Sequence, residues 1–118
     1  MNWKTFFAML AALGLLASCA HLNPHPMDMT SAIRNAKTKA DHEALAQHYE
    51  QVARRMQANA QAQKNQLTEY ETHGYYYGRA TDDLTEHTKA LVRIYQEAAD
   101  ANMNMAKTQR QLAAQATQ

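Results

Sequence analysis

The sequence predicts an all-α fold, a long antiparallel two-helix hairpin of coiled-coil-like character, with room for a short extra helix before it. Three observations carry this reading. Apolar residues recur every three or four positions over two long stretches, the spacing of one face of an α-helix. A single glycine-bounded segment, Gly74-Tyr75-Tyr76-Tyr77-Gly78, separates the two. Beyond residue 18 the chain is poor in glycine and proline, rich in alanine and glutamine, and its only aromatics are tyrosines. That composition forms helices readily and fills only a thin core.

Residues 1–18 read as a processed leader, outside the fold. Lys4 supplies a positive start, Phe6 to Leu16 form an apolar run broken only by Gly14, and the small residues Ala17 and Ser18 precede the one cysteine. The run falls short of the roughly 20 apolar residues that a membrane-spanning helix needs. An exported chain with one cysteine closes no internal disulfide, so Cys19 calls for other chemistry. The segment Leu16-Ala17-Ser18-Cys19 resembles the lipobox of bacterial lipoproteins. The resemblance implies cleavage before Cys19, a diacylglycerol on its thiol and an acyl chain such as palmitate on the freed amine. With Ala20 following in place of Asp, it also implies passage to the outer membrane, facing the periplasm. Each buried methylene contributes about 0.8 kcal/mol, so two or three chains on Cys19 hold for practical purposes permanently.

Residues 19–29 form a tether in which Pro24 and Pro26 disfavour helix. Met29 to Ala36 can form a short helical turn behind Thr30 or Ser31. A helix over 38–72 starts at Thr38, with Asp41 three residues on in a capping-box-like arrangement. Its stripe is Leu45, Tyr49, Val52, Met56, Ala60, Gln63, Leu67 and Tyr70. A loop over 73–81 follows. The helix over 82–114 starts at Asp82 or Asp83 and shows Leu84, Leu91, Tyr95, Ala98, Asn102, Met105, Gln109 and Leu112 on its stripe. Residues 30–118 thus make up the hairpin unit.

The two helices read as copies. A shift of 46 positions lays Ala44-Leu45 on Ala90-Leu91, Tyr49 on Tyr95, Ala53 on Ala99, Ala60 on Ala106, and Gln63-Lys64 on Gln109-Arg110. A short connection makes long helices antiparallel neighbours. Tyr49 is then expected near Met105, and Tyr95 near Asn59 and Ala60. Asn59, Gln63, Asn102 and Gln109 leave such a core too polar to hold two helices rigidly. The remedy is a fold of Met29 to Ala36 across the hairpin, pairing of two hairpins into a four-helix bundle, or a partner protein.

Function is written more faintly. Without Lys4 the acidic and basic side chains are equal in number, so there is no electrostatic case for nucleic acid. His42 and His48 lie six residues apart, about 240° around a helix, and cannot share a metal. As first-turn residues, His42 and His87 are expected at the surface. His73 and His87 could meet across the loop, with Asp82, Asp83 or Glu86 adding a carboxylate, though without a metal-binding spacing. Three consecutive tyrosines cannot all point inward, so at least one of Tyr75, Tyr76 and Tyr77 should be exposed for a partner. The alternative has Tyr75 or Tyr77 closing the end of the core with Arg79 stacked on a ring. Serine occurs only at Ser18 and Ser31, and nothing forms a triad or a phosphate loop. No catalytic residue, metal ligand or cofactor is assigned.

The stretch Ala36-Lys37-Thr38-Lys39-Ala40-Asp41-His42-Glu43-Ala44-Leu45-Ala46, with Tyr49-Glu50 and then His87, Leu91-Val92 and Tyr95, resembles small helical-hairpin proteins of proteobacteria. That group has no assigned activity, and the resemblance implies only the two-copy helical fold. The expected function is therefore a non-enzymatic, lipid-anchored periplasmic protein with a structural or interaction role, by self-association or by binding an envelope protein. The alternative is a metal- or small-ligand-binding lipoprotein that uses the loop histidines.

Overall fold

The computed structural model describes residues 27–116. The expected leader, Cys19, and Pro24 and Pro26 of the tether lie outside the described residues. Three helices make up the rest: α1 over Met29–Asn35, α2 over Lys39–Thr72 and α3 over Thr81–Gln115, with no strand among the described residues. Helices α2 and α3 pack against each other as the expected hairpin, each about 50 Å long at 1.5 Å per residue.

Local chemistry sets the starts. The side chain of Asp28 accepts the Ser31 N–H at 3.2 Å, so α1 starts at Met29 as expected, with its cap two or three residues before Thr30 and Ser31. The Thr38 hydroxyl accepts the Asp41 N–H at 3.2 Å, and Asp41 returns the bond by accepting the Thr38 N–H at 2.9 Å. The Lys37 N–H adds a third bond at 3.0 Å. These donors, Lys37 first, hold the Asp41 carboxyl at about 2, against an ordinary 3.8. A lowered carboxylate stabilises fully above its unfolded value and is lost as pH falls through about 2, so this cap is intact at any physiological pH.

The start of α3 differs from expectation. Neither Asp82 nor Asp83 caps it. Ala80 stands at the cap with helical backbone angles, and the helix begins at Thr81. The two aspartates fall in the first turn, where negative charge suits the helix dipole. Thr81 instead ties the loop together: its hydroxyl lies 2.6 Å from the Gly74 carbonyl and 2.8 Å from that of Gly78. A Cβ on Gly74 would stand 2.6 Å from the Thr81 methyl, so the close approach requires glycine. Gly78 takes a left-handed φ of 58°, which other residues adopt at a cost.

The seam between the long helices is built from alanine. Ala46, Ala53 and Ala60 on α2 are buried at seven-residue spacing, as are Ala99, Ala106 and Ala113 on α3. A period of 3.5 keeps one face turned to the partner as the helices wind around each other. The stripe expected on α3 is accordingly corrected. Tyr95, Asn102 and Gln109 do lie inward as expected, but Leu91, Met105 and Leu112 are exposed, and Thr88, Ala99, Ala106 and Ala113 are buried in their place. Small side chains let two backbones close to 8–10 Å, and the longer residues are displaced to the edge of the contact. Met105, expected against Tyr49, belongs to that exposed edge.

Two glutamines lie on the seam with different fates. Gln109 is buried, and its Oε1 sits 2.8 Å from Nδ1 of His42, 67 residues away. His42 is thus half-buried in an interhelical bond, where a surface position was expected. Gln63 has its Oε1 buried without a hydrogen-bond partner among the described residues. Leaving a buried acceptor unmade costs more than replacing it by an apolar group of like shape. Gln63→Met should therefore raise stability by about 1 kcal/mol, and Gln109→Met, which strands His42, should lower it by a similar amount. Urea midpoints of the two variants check the opposite signs.

Beside the seam, Arg110 donates to Glu50 at 2.6 Å. The pairing lowers the Glu50 carboxyl and raises the Arg110 guanidinium. Both ends reach solvent, so the bridge adds little stability. Helix α1 packs on α2, and Met27, Ala32, Ala36 and Leu45 line an open depression between them. Leu45 is the largest fully buried side chain among the described residues.

Candidate functional site

Four of the six tyrosines, Tyr70, Tyr75, Tyr76 and Tyr77, gather at the hairpin tip. Helix α2 ends at His73, whose N–H reaches the Glu69 carbonyl at 2.9 Å. Two single 3₁₀ turns follow, Gly74–Tyr76 and Gly78–Ala80. They are closed by Tyr76 N–H to His73, Tyr77 N–H to Gly74 and Ala80 N–H to Tyr77, at 3.0, 3.0 and 3.3 Å. A 3₁₀ turn advances each residue by about 120°, so consecutive rings splay in different directions.

The three tyrosines therefore divide the work. Tyr77 turns back onto Tyr70 of α2, edge to face, with ring centres 5.1 Å apart. Tyr70 accepts a hydrogen bond from Gln66 at 2.9 Å. Tyr75 and Tyr76 turn outward, 72 % and 71 % exposed, with their rings 4.1 Å apart. His73 lies about 6 Å from both, at 6.1 and 5.9 Å. The expected exposure of a loop tyrosine is met by Tyr75 and Tyr76. Closure of the core end is the task of Tyr77 on Tyr70. The expected stack of Arg79 on a ring is not found among the described residues, where Arg79 is exposed. Hydrogen bonding to Tyr76, then desolvation and the Glu69 charge, raise the Tyr75 phenol; desolvation and then Glu69 raise that of Tyr77. Both phenols stay neutral through physiological pH.

The loop histidines part company. Nδ1 of His73 lies 2.9 Å from a carboxylate oxygen of Glu69, a partner one turn back on its own helix. His87 is exposed on α3. Among the described residues no group of three or more His, Cys, Asp or Glu side chains converges as a metal would require. Asp82 and Asp83, also exposed, are not drawn toward either histidine by any hydrogen bond among the described residues.

A second surface runs along α3. Leu91, Ile94, Met105 and Leu112 are exposed large apolar residues, Ile94 at 51 %. With Ala98, Ala101 and Thr108 between them, they step by three and four residues, a heptad stripe of the same form as the buried seam. Helical spacing alone predicts Leu91, Met105 and Leu112 on the inner face and does not mark Ile94. The doubled 3–4 pattern on α3 was the signal: two stripes share one helix, and each needs its own cover. One open depression on the seam, over Ala60 and Ala99, is rimmed by Gln57, Gln61, Lys64 and Gln96.

Comparison with protein-family models, curated proteins and solved structures finds no match for this chain. Among the described residues no helix is long and apolar enough to cross a membrane.

Proposed function

We propose that the chain is a non-catalytic lipoprotein, held by lipid on Cys19 in the outer membrane and facing the periplasm, whose hairpin acts by self-association. The exposed stripe on α3 is the observation that carries the interaction role. Two such stripes set antiparallel bring Leu91 opposite Ala101 and Ile94 opposite Ala98, large against small, as in helix pairs that close tightly. Rods tethered at Cys19 can meet in this way while lying along the surface. The lipobox-like Leu16-Ala17-Ser18-Cys19 supports the anchor.

Fractionation of cells tests the anchor: Cys19→Ser should release the protein from membranes or leave it uncleaved. A cleaved product retained in full would overturn it. For self-association, the melting temperature of the Cys19→Ser chain should rise with protein concentration, because assembly stabilises only the folded state. Ile94→Asp should abolish that dependence without unfolding the hairpin. A concentration-independent melt of the parent chain refutes the assembly.

A further inference from the structure

Charge is not spread evenly along the rod. Between residues 69 and 86 five carboxylates, Glu69, Glu71, Asp82, Asp83 and Glu86, stand against one guanidinium, Arg79, a formal charge of −4 with histidines neutral. All five are exposed. The remaining described residues carry ten basic and six acidic side chains, a balance of +4. Glu69 is bonded to His73 and Glu86 to Lys89, while Glu71, Asp82 and Asp83 have no cationic partner among the described residues. In the middle of this acidic end stand the open rings of Tyr75 and Tyr76.

Aromatic faces attract cations through the ring quadrupole, and the guanidinium of arginine stacks on them most readily. Surrounding carboxylates raise the local concentration of a positive ligand and speed its arrival. The carboxylates lie on the ends of both long helices, so a lone cation would meet only some of them. A peptide carrying several positive charges meets more. We propose that the hairpin tip is a docking site for a basic segment of a partner protein, with an arginine or lysine held over Tyr75 and Tyr76 and flanking basic residues met by Glu71, Asp82 and Asp83. This extends the interaction reading above without using the α3 stripe.

The test is fluorescence anisotropy of a dye-labelled ten-residue peptide of alternating arginine and glycine, titrated with the full chain in a non-ionic detergent. Binding should weaken steeply with added salt, as for exposed charges. Tyr75→Ala with Tyr76→Ala should lower affinity about tenfold, while the Phe pair keeps it within about twofold, since the ring face and not the hydroxyl does the holding. Glu71→Gln with Asp82→Asn and Asp83→Asn should weaken binding and flatten its salt dependence. These positions are exposed, and circular dichroism of each variant checks that the helices persist. No binding overturns the proposal. So does equal binding of a glutamate–glycine peptide, or binding indifferent to loss of both rings, which would be diffuse charge attraction alone. A photoreactive residue at Tyr76 that captures only a second copy in cells also overturns it. A chain that self-associates but ignores the peptide defeats this inference alone; a chain that binds the peptide and stays monomeric defeats only the self-association.

Discussion

Replacing Leu45 by alanine is expected to lower stability by about 2–5 kcal/mol, the range for emptying a large buried aliphatic site. Leu45 is the only large side chain fully buried among the described residues; its buried apolar companions are alanines. The hairpin has few other contacts of that size to share the loss. Leu45 also sits where α1 meets α2, so the truncation should free α1 as well as weaken the hairpin. For a folded unit of this size, 1 kcal/mol corresponds to about 4–8 °C in Tm. Thermal unfolding followed by circular dichroism reads the first effect. Faster amide exchange in Met29–Asn35 reads the second. A fall in Tm of only a degree or two would mean that α1 and the open end contribute little to holding the rod.

Enlarging a seam alanine should act in the opposite sense on volume and the same sense on stability. Ala106→Leu is expected to cost about 1–3 kcal/mol by overpacking. Ala106 is completely buried at the middle of its alanine series, so a longer side chain must push the two backbones apart or leave its preferred rotamer. The matching control is Ala58→Leu on the exposed face of α2, which should change stability by no more than about 0.5 kcal/mol. Urea unfolding of the pair gives the comparison. Equal effects at the two sites would show a seam with slack, contrary to the burial of all six alanines.

The helix starts show how far local chemistry is legible. Thr38 and Asp41 announce a capping box three residues apart, and the reciprocal bonds are there. Their geometry depends on one turn of backbone and nothing beyond. The start at Thr81 was hidden, because it depends on a hydroxyl bridging carbonyls across the loop. An aspartate next to such a start looks like a cap in sequence whether or not it caps. The tip was half legible: three tyrosines between glycines could not all be inside. That Tyr77 and not Tyr75 turns back on Tyr70 follows from the placement of two 3₁₀ turns, which no residue pattern specifies.

By itself the sequence determined that this protein is a helical hairpin, because helix periodicity, caps and glycine breaks act over a few neighbouring residues. Its lipobox-like Cys19 belongs to the same local order of information. Only the tertiary structure decided which residues join Tyr95, Asn102 and Gln109 on the inward face of α3. Hydrophobicity favoured Leu91, Met105 and Leu112, but helix packing rewards close backbone approach, and the alanines permit it. The bond between His42 and Gln109 likewise exists only once α3 has returned alongside α2. Displacing the large residues from the seam leaves them at the surface, and that leftover face is what a second copy can cover.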